Sequence, residues 1–230
     1  MRAGPDPLAA SGVIGERIRV LSDEIDVASG GRARLLPVTK AFGIRAVLAV
    51  REAGLTEVGE SYAQEIVSKH RELDDPLLSW HMIGRLQRNK VRRLAGLVSL
   101  WQSVDRPELV DEIARWAPAA RVLIQVDITG RSGQGGCRPG DVEPLMERAC
   151  KVGLEVAGLM GIGVEGDRDG TERSFAGIAR LADQLGLVER SMGMTDDRDL
   201  AIAHGSTLVR VGRGLFGDRP PLSGLLTGKG

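Results

Sequence analysis

Short apolar runs alternate along this chain with longer stretches whose apolar positions recur every three or four residues. The short runs predict strands at 34–39, 55–59, 79–83, 97–104, 121–128, 154–160, 189–192 and 207–211. The longer stretches predict helices at 44–53, 62–73, 86–95, 107–116, 142–152, 171–185 and 198–204, with a further helix at 13–28 before the first strand. Strict alternation of strand and helix implies a parallel sheet, because each crossover returns the chain to the same end. Eight strands is the number that closes a (β/α)8 TIM barrel. An open doubly wound sheet has the same periodicity and stays as the alternative. The expected organisation is one α/β domain over 8–219 and a Pro/Gly/Leu-rich tail over 220–230 that frays. Residues 130–140 hold five glycines and one proline and read as a mobile strand-to-helix loop.

In a closed barrel, function gathers where strands end and helices have yet to begin. Lys40 follows the first apolar run, Leu35-Leu36-Pro37-Val38-Thr39. A lysine there loses hydration unless its amine is used, and a half-dry amine can lose its proton and attack an aldehyde. In water a lysine amine has a pKa of about 10.4, so only roughly one in a few thousand is neutral at pH 7. Partial burial and a nearby cation should lower it. Further polar or special residues fall at strand ends: Glu60, Ser61, His81, Ser103, Asp105, Asp127, Met160, Ser191 and Arg210.

The last two strand ends carry the sharpest pattern. Ser191-Met192-Gly193-Met194-Thr195 and Gly212-Arg213-Gly214 each stand between a strand and a helical segment. Barrels often bind phosphate with these two loops, glycines letting the backbone N–H groups approach the anion. Thr195 by itself reads more simply as the cap of a helix starting at Asp196. Alternation in Leu208-Val209-Arg210-Val211-Gly212 turns Arg210 inward and the valines toward the helices. An inward guanidinium needs either a structural carboxylate, Asp127 or Glu60, or a ligand. Ser61-Tyr62-Ala63-Gln64 fits a capping box. His81, between Trp80 and Met82, fits a core histidine satisfied by its neighbours. The basic run Arg85, Arg88, Lys90, Arg92 and Arg93 fits a solvated helix face. Gly212-Arg213-Gly214-Leu215-Phe216-Gly217 matches G-x-G-x-x-G, but neither a βαβ unit nor an acid roughly 20 residues later follows it, so dinucleotide binding is rejected.

Composition trims the remaining classes. Lys+Arg and Asp+Glu both number 31 and aromatics are 3%, which counts against a nucleic-acid surface. Cys137 and Cys150 are the only cysteines and form neither a disulfide framework nor a metal motif. No leader-type apolar core or membrane span is visible, so the expectation is a cytoplasmic protein.

Taken together, Pro37-Val38-Thr39-Lys40, Val58-Gly59-Glu60-Ser61-Tyr62-Ala63-Gln64-Glu65, the stretch from Trp80-His81-Met82-Ile83-Gly84 to Lys90, Gly158-Leu159-Met160, Ser191-Met192-Gly193-Met194-Thr195 and Val209-Arg210-Val211-Gly212 with Phe216-Gly217 resemble the pyridoxal phosphate homeostasis protein family (YggS/PROSC-like). The resemblance implies an alanine racemase N-terminal-domain-like barrel holding pyridoxal 5′-phosphate as a Schiff base on Lys40. It implies that Ser191, Gly193, Met194 and Gly212 hold the phosphate and that Arg210 faces the pyridine nitrogen. Val38, Ser61, His81, Met160, Met192 and Arg213 complete the expected lining. Ser61 and Asp127 stand where the family usually has asparagine, Arg213 where threonine is common, and Arg131 and Gln134 where glutamate and lysine are usual. The expected role is a cofactor holder in intracellular pyridoxal phosphate homeostasis and amino/keto-acid balance, with no catalytic or metal-binding residue assigned. Its expected partners are the cofactor and pyridoxal-phosphate-dependent apoenzymes, and its expected state is a monomer. The rival is a small racemase, which needs a second base; the only tyrosine is Tyr62. A lysine aldolase that never binds pyridoxal is a third option.

Overall fold

In the computed structural model the described residues are 11–130 and 135–218. The expected tail at 220–230 and the replacements at Arg131 and Gln134 lie outside them. The strands are β1 (Arg34–Pro37), β2 (Glu57–Glu60), β3 (Ser79–Met82), β4 (Val98–Val104), β5 (Arg121–Gln125), β6 (Glu155–Met160), β7 (Glu189–Ser191) and β8 (Leu208–Val211). The helices are α1 (Ser11–Ser29), α2 (Ile44–Glu52), α3 (Ala63–Leu73), α4 (Arg88–Leu94), α5 (Pro107–Trp116), α6 (Val142–Lys151), α7 (Arg168–Gln184), α8 (Arg198–Ala203) and α9 (Arg213–Phe216).

All strand pairs are parallel, and neighbours follow chain order from β2 round to β8 and back to β1. A doubly wound sheet would reverse its order at a switch point, and none exists here. The remaining seam, between β1 and β2, is joined by a Val38–Gly59 bridge and by the Thr39 N–H donating to Gly59 O at 3.0 Å. The barrel is therefore nearly closed, and among the described residues no long strand edge is left for another chain to pair with.

Alternation along the strands builds two apolar layers. Val58, Trp80, Met82, Trp101, Val122, Ile124, Leu159, Val209 and Val211 join the helices in the main core. Leu100, Leu123 and Met160 form a smaller cluster of their own. In α1, Ile14, Ile18, Leu21 and Ile25 make one buried stripe, and the helix packs against β1, α2 and α8.

Strand ends differ from expectation where other contacts take over the backbone. β1 and β5 stop early. Val38 and Val126 each form only an isolated bridge, Val126 with Cys137 on the returning loop. In β4 the ladder runs from Trp101–Val122 to Val104–Ile124, so one extra residue is accommodated at Gln102-Ser103. Both side chains are buried. The loop after β3 presses on the loop after β2: a Cβ at Gly84 would stand 2.2 Å from Ser61 O and 2.7 Å from Ser61 Cα. Neither atom belongs to a flexible side chain. Gly84→Ala should therefore lower stability by roughly 1–3 kcal/mol, the usual range for overpacking. Urea unfolding measures this, and an unchanged midpoint would show that the two loops can separate freely.

Candidate functional site at the barrel mouth

Lys40 stands just past β1, half-buried, and the backbone on either side of it is fixed by a charged cluster. Lys69, on α3 and 5% exposed, donates from Nζ to Thr39 O at 2.8 Å, Glu60 Oε2 at 2.5 Å and Glu65 Oε2 at 2.7 Å. Thr39 Oγ1 donates to Glu60 Oε2 at 3.0 Å. The Ala41 N–H donates to the Glu65 carboxylate at 3.1 Å. Ala41 has φ +63°, a left-handed conformation that a side chain disfavours. Such strain persists only where surrounding bonds over-determine it. Here those bonds lie on both sides of Lys40. Burial pushes the Glu60 carboxyl up to about 7, with Lys69 pulling it down and Glu65 pushing it further up.

Beside β1, Arg210 sits in register with Leu36 and is 4% exposed. Its Nη1 donates to Ser191 Oγ at 2.7 Å and its Nη2 to Gly161 O at 2.8 Å. Neither Asp127 nor Glu60 pairs with it, which corrects the structural-carboxylate expectation. Asp127 Oδ1 instead accepts from Thr129 N, Thr129 Oγ1 and Gly130 N, folding the turn after β5. Glu60 belongs to Lys69. Burial lowers Arg210 to about 10, partly offset by Asp197, so it stays charged at neutral pH.

The loops after β7 and β8 are joined, since the Gly214 N–H donates to Thr195 Oγ1 at 3.3 Å. Thr195 caps no helix: α8 begins at Arg198 with Asp197 as its N-terminal neighbour. Gly193 has φ +89°, and a Cβ there would lie 2.6 Å from Ala201 Cβ, so this position needs glycine twice over. Among the described residues, the N–H groups of Gly193, Gly212 and Arg213 have no hydrogen-bond acceptor. The Met194 N–H differs, donating to Asp197 Oδ1 at 2.5 Å. Asp196 pairs with Arg213 on the surface. The two loops thus offer three open amides, with carboxylates already holding Met194 and Arg213.

The other expected residues divide. Val38 is buried at the β1–β2 seam, and Met160 belongs to the small Leu100–Leu123 cluster. Met192 is fully buried in the main core, packed with the helical layer, so only its backbone can serve the mouth. Met194 is 39% exposed. Ser61 forms no capping box: Tyr62 stands at the start of α3 and no side chain caps it, while the Ser61 N–H donates to Glu60 Oε1 at 3.0 Å. Ser61, Tyr62, Arg85, Lys90 and Arg106 line a groove beside the mouth. Elsewhere on the basic stretch, Arg92 stacks on Trp116 and Arg88 approaches Glu112, as a solvated helix face would. His81 is buried and satisfied, its Nδ1 2.9 Å from Gln102 Nε2. Ser191 Oγ both accepts from Arg210 and donates to Gln102 Oε1 at 2.7 Å, so its hydroxyl is turned to the barrel interior.

Sequence reasoning missed Lys69, Glu65 and Gln102. For Lys69 the one local signal is its i−4 spacing from Glu65. Gln102 was legible as the polar residue two positions after Leu100 on the inward face of β4.

Comparison with known proteins gives a consistent picture. The family described as "Alanine racemase, N-terminal domain" matches residues 16–220. A pyridoxal phosphate homeostasis protein of Pseudomonas aeruginosa is 38% identical over 193 residues, covering 80% of this chain and 84% of that protein. The protein of the same name from Deinococcus radiodurans is 39% identical over 193 residues, covering 82% and 90%. PipY of Synechococcus elongatus, solved with PLP bound, matches with a TM-score of 0.79 at 31% identity, covering 89% of this chain and all (100%) of PipY. An alanine racemase of Clostridium difficile shares the fold, with a TM-score of 0.72 at 13% identity over 90% of this chain and 61% of its own.

The cluster around Lys40 is open to a direct test. Lys69→Met would leave the buried Glu60 and the part-buried Glu65 facing each other without their cation. The expected cost is about 3–5 kcal/mol in urea unfolding, the range for a buried pair that loses one partner. A cost below about 1 kcal/mol would mean that the cluster behaves like an exposed ion pair.

Proposed function

The chain belongs to the alanine racemase N-terminal domain family, among the pyridoxal phosphate homeostasis proteins, and on that premise we propose that it holds pyridoxal 5′-phosphate reversibly at the barrel mouth. The observation that carries this reading is the placement of Lys40, whose flanking backbone is fixed at the end of β1, the strand paired with the one that carries Arg210. Bound there, the cofactor supplies a reactive aldehyde and an electron-withdrawing ring. Lys40 would supply the amine that anchors this aldehyde. The amides of Gly193, Gly212 and Arg213 suit the phosphate, since backbone N–H groups and a nearby guanidinium favour an anion. Arg210 suits the ring nitrogen: two of its five N–H groups are engaged with Ser191 and Gly161, which leaves donors to spare.

The same arginine bears on what the bound cofactor does. A guanidinium donates a hydrogen bond but does not readily give up its proton. The ring nitrogen then stays a weak electron sink, and carbanion chemistry is poorly supported. Two-base racemisation also needs a second acid/base, and Tyr62 lines the outer groove with Arg85 and Lys90. Both points favour a holder over a racemase. In this reading the protein is a cytoplasmic monomer that buffers the aldehyde and passes it to apoenzymes that need it, thereby affecting amino- and keto-acid balance.

Borohydride followed by peptide mass analysis tests the attachment. The wild-type protein should carry the pyridoxyl mass on the Lys40 peptide. Lys40→Ala should lose both that mass and the absorbance of the bound cofactor while unfolding at the same urea concentration. Retention of the trapped mass in Lys40→Ala would overturn the assignment.

A further inference from the structure

A line of polar side chains crosses the barrel interior from the mouth to the opposite end. Arg210 Nη1 donates to Ser191 Oγ at 2.7 Å, Ser191 Oγ to Gln102 Oε1 at 2.7 Å, and Gln102 Nε2 to His81 Nδ1 at 2.9 Å. His81 Nε2 then lies 3.5 Å from Glu57 Oε1, the longest step. Ser191 and Gln102 are 0% exposed and His81 2%. Glu57 opens β2, with its side chain 30% exposed, so the line surfaces at the N-terminal strand ends. There Arg34 bonds Glu57 at 2.9 Å and Glu189 at 3.2 Å.

Elementary donor and acceptor rules fix the sense of every step. Arginine has only donors, so Ser191 accepts from it, and the serine's own proton goes to Gln102 Oε1. The amide atom facing Ser191 is then the oxygen, and the NH2 faces His81. His81 Nδ1 must accept, which places the ring proton on Nε2, toward a carboxylate that only accepts. The dipoles line up from the cation at the mouth to the anion at the far end. One step cannot reverse alone. A second proton on His81 would turn the amide NH2 toward Ser191, and the Ser191 proton would lose the Gln102 Oε1 acceptor it has here.

The groups around His81 leave Glu57 as its ionisable partner. Its ladder neighbours Gly59 and Leu100 are uncharged, and Arg34 and Glu189 act through Glu57. The close approach of His81 holds the Glu57 carboxyl down at about 2, with Arg34 assisting against burial, so it is anionic at neutral pH.

We propose that Gln102 and His81 are positioning residues that transmit the charge of Glu57 to Arg210 and so set how firmly the mouth holds the pyridoxal phosphate ring. This rests on the cofactor reading of the mouth. Its distinguishing feature is action at a distance: Glu57 lies at the opposite strand end from Lys40.

The test uses the full chain, Glu57→Gln and Gln102→Leu, with three measurements. Nitrogen-15 NMR of the cofactor-free wild-type protein should find His81 protonated on Nε2 alone; Nδ1–H would overturn the proposed sense. Titration with pyridoxal phosphate should give an affinity weaker by about five-fold in Glu57→Gln, equivalent to roughly one hydrogen bond. The absorption maximum of the bound cofactor should shift in both variants, which a general loss of stability would not cause. If the wild-type protein takes up cofactor and both variants match it in affinity and maximum, the transmission is refuted while the cofactor reading stands. If the wild-type protein takes up none, the cofactor reading itself fails, and the histidine tautomer alone still decides whether the interior line exists.

Discussion

The site depends first on one buried ammonium. Lys69 binds the carbonyl of Thr39 and two carboxylates, and those carboxylates in turn hold Thr39 Oγ1 and the Ala41 N–H. Three of these five bonds meet the chain next to Lys40, the other two tie the carboxylates to Lys69, and together they sustain the left-handed backbone at Ala41. Gathering Lys69, Glu60 and the part-buried Glu65 costs desolvation that hydrophobic residues of the same volume would avoid. Here that cost is tied to the placement of a neighbouring amine, by bonds reaching from α3 across the end of β1.

The barrel makes this placement useful. Parallel closure brings β8 beside β1, so Arg210 and the two glycine-bearing loops share a mouth with Lys40 although about 170 residues separate them in the chain. The interior is divided accordingly. A small apolar cluster of Leu100, Leu123 and Met160 shares the inner layer with one polar line from Arg210 to His81. A fully apolar interior would leave the Arg210 guanidinium without its Ser191 partner. The bulge in β4 accompanies this arrangement, at the point where Gln102 and Ser103 are both buried.

Much of the fold was legible because periodicity reports burial. Strand and helix order, the inward turn of Arg210 and the outward turn of Val209 and Val211 all follow from alternation. The errors fall where a local rule competes with a distant partner. Thr195 suited a helix cap, yet its hydroxyl accepts from Gly214 on the next loop. Ser61 and Gln64 suited a capping box, yet the carboxylate of Glu60 turns back to the Ser61 amide. Asp127 suited an ion pair with Arg210, but the amides two and three residues ahead were nearer. Lys69 was invisible because nothing in its own segment says that α3 would press it against the end of β1. Met192 shows the opposite limit: the motif around it was recognised, but its side chain serves the core.

The central claim is that Lys40, Arg210 and the loops after β7 and β8 form one binding site for a single cofactor molecule. A crystal structure of this chain grown with pyridoxal phosphate tests it most directly. The account predicts electron density continuous from Lys40 Nζ to the cofactor, the ring nitrogen facing Arg210, and the phosphate against the amides of Gly193, Gly212 and Arg213. Cofactor density confined to another place, such as the groove beside Arg85 and Lys90, would contradict it.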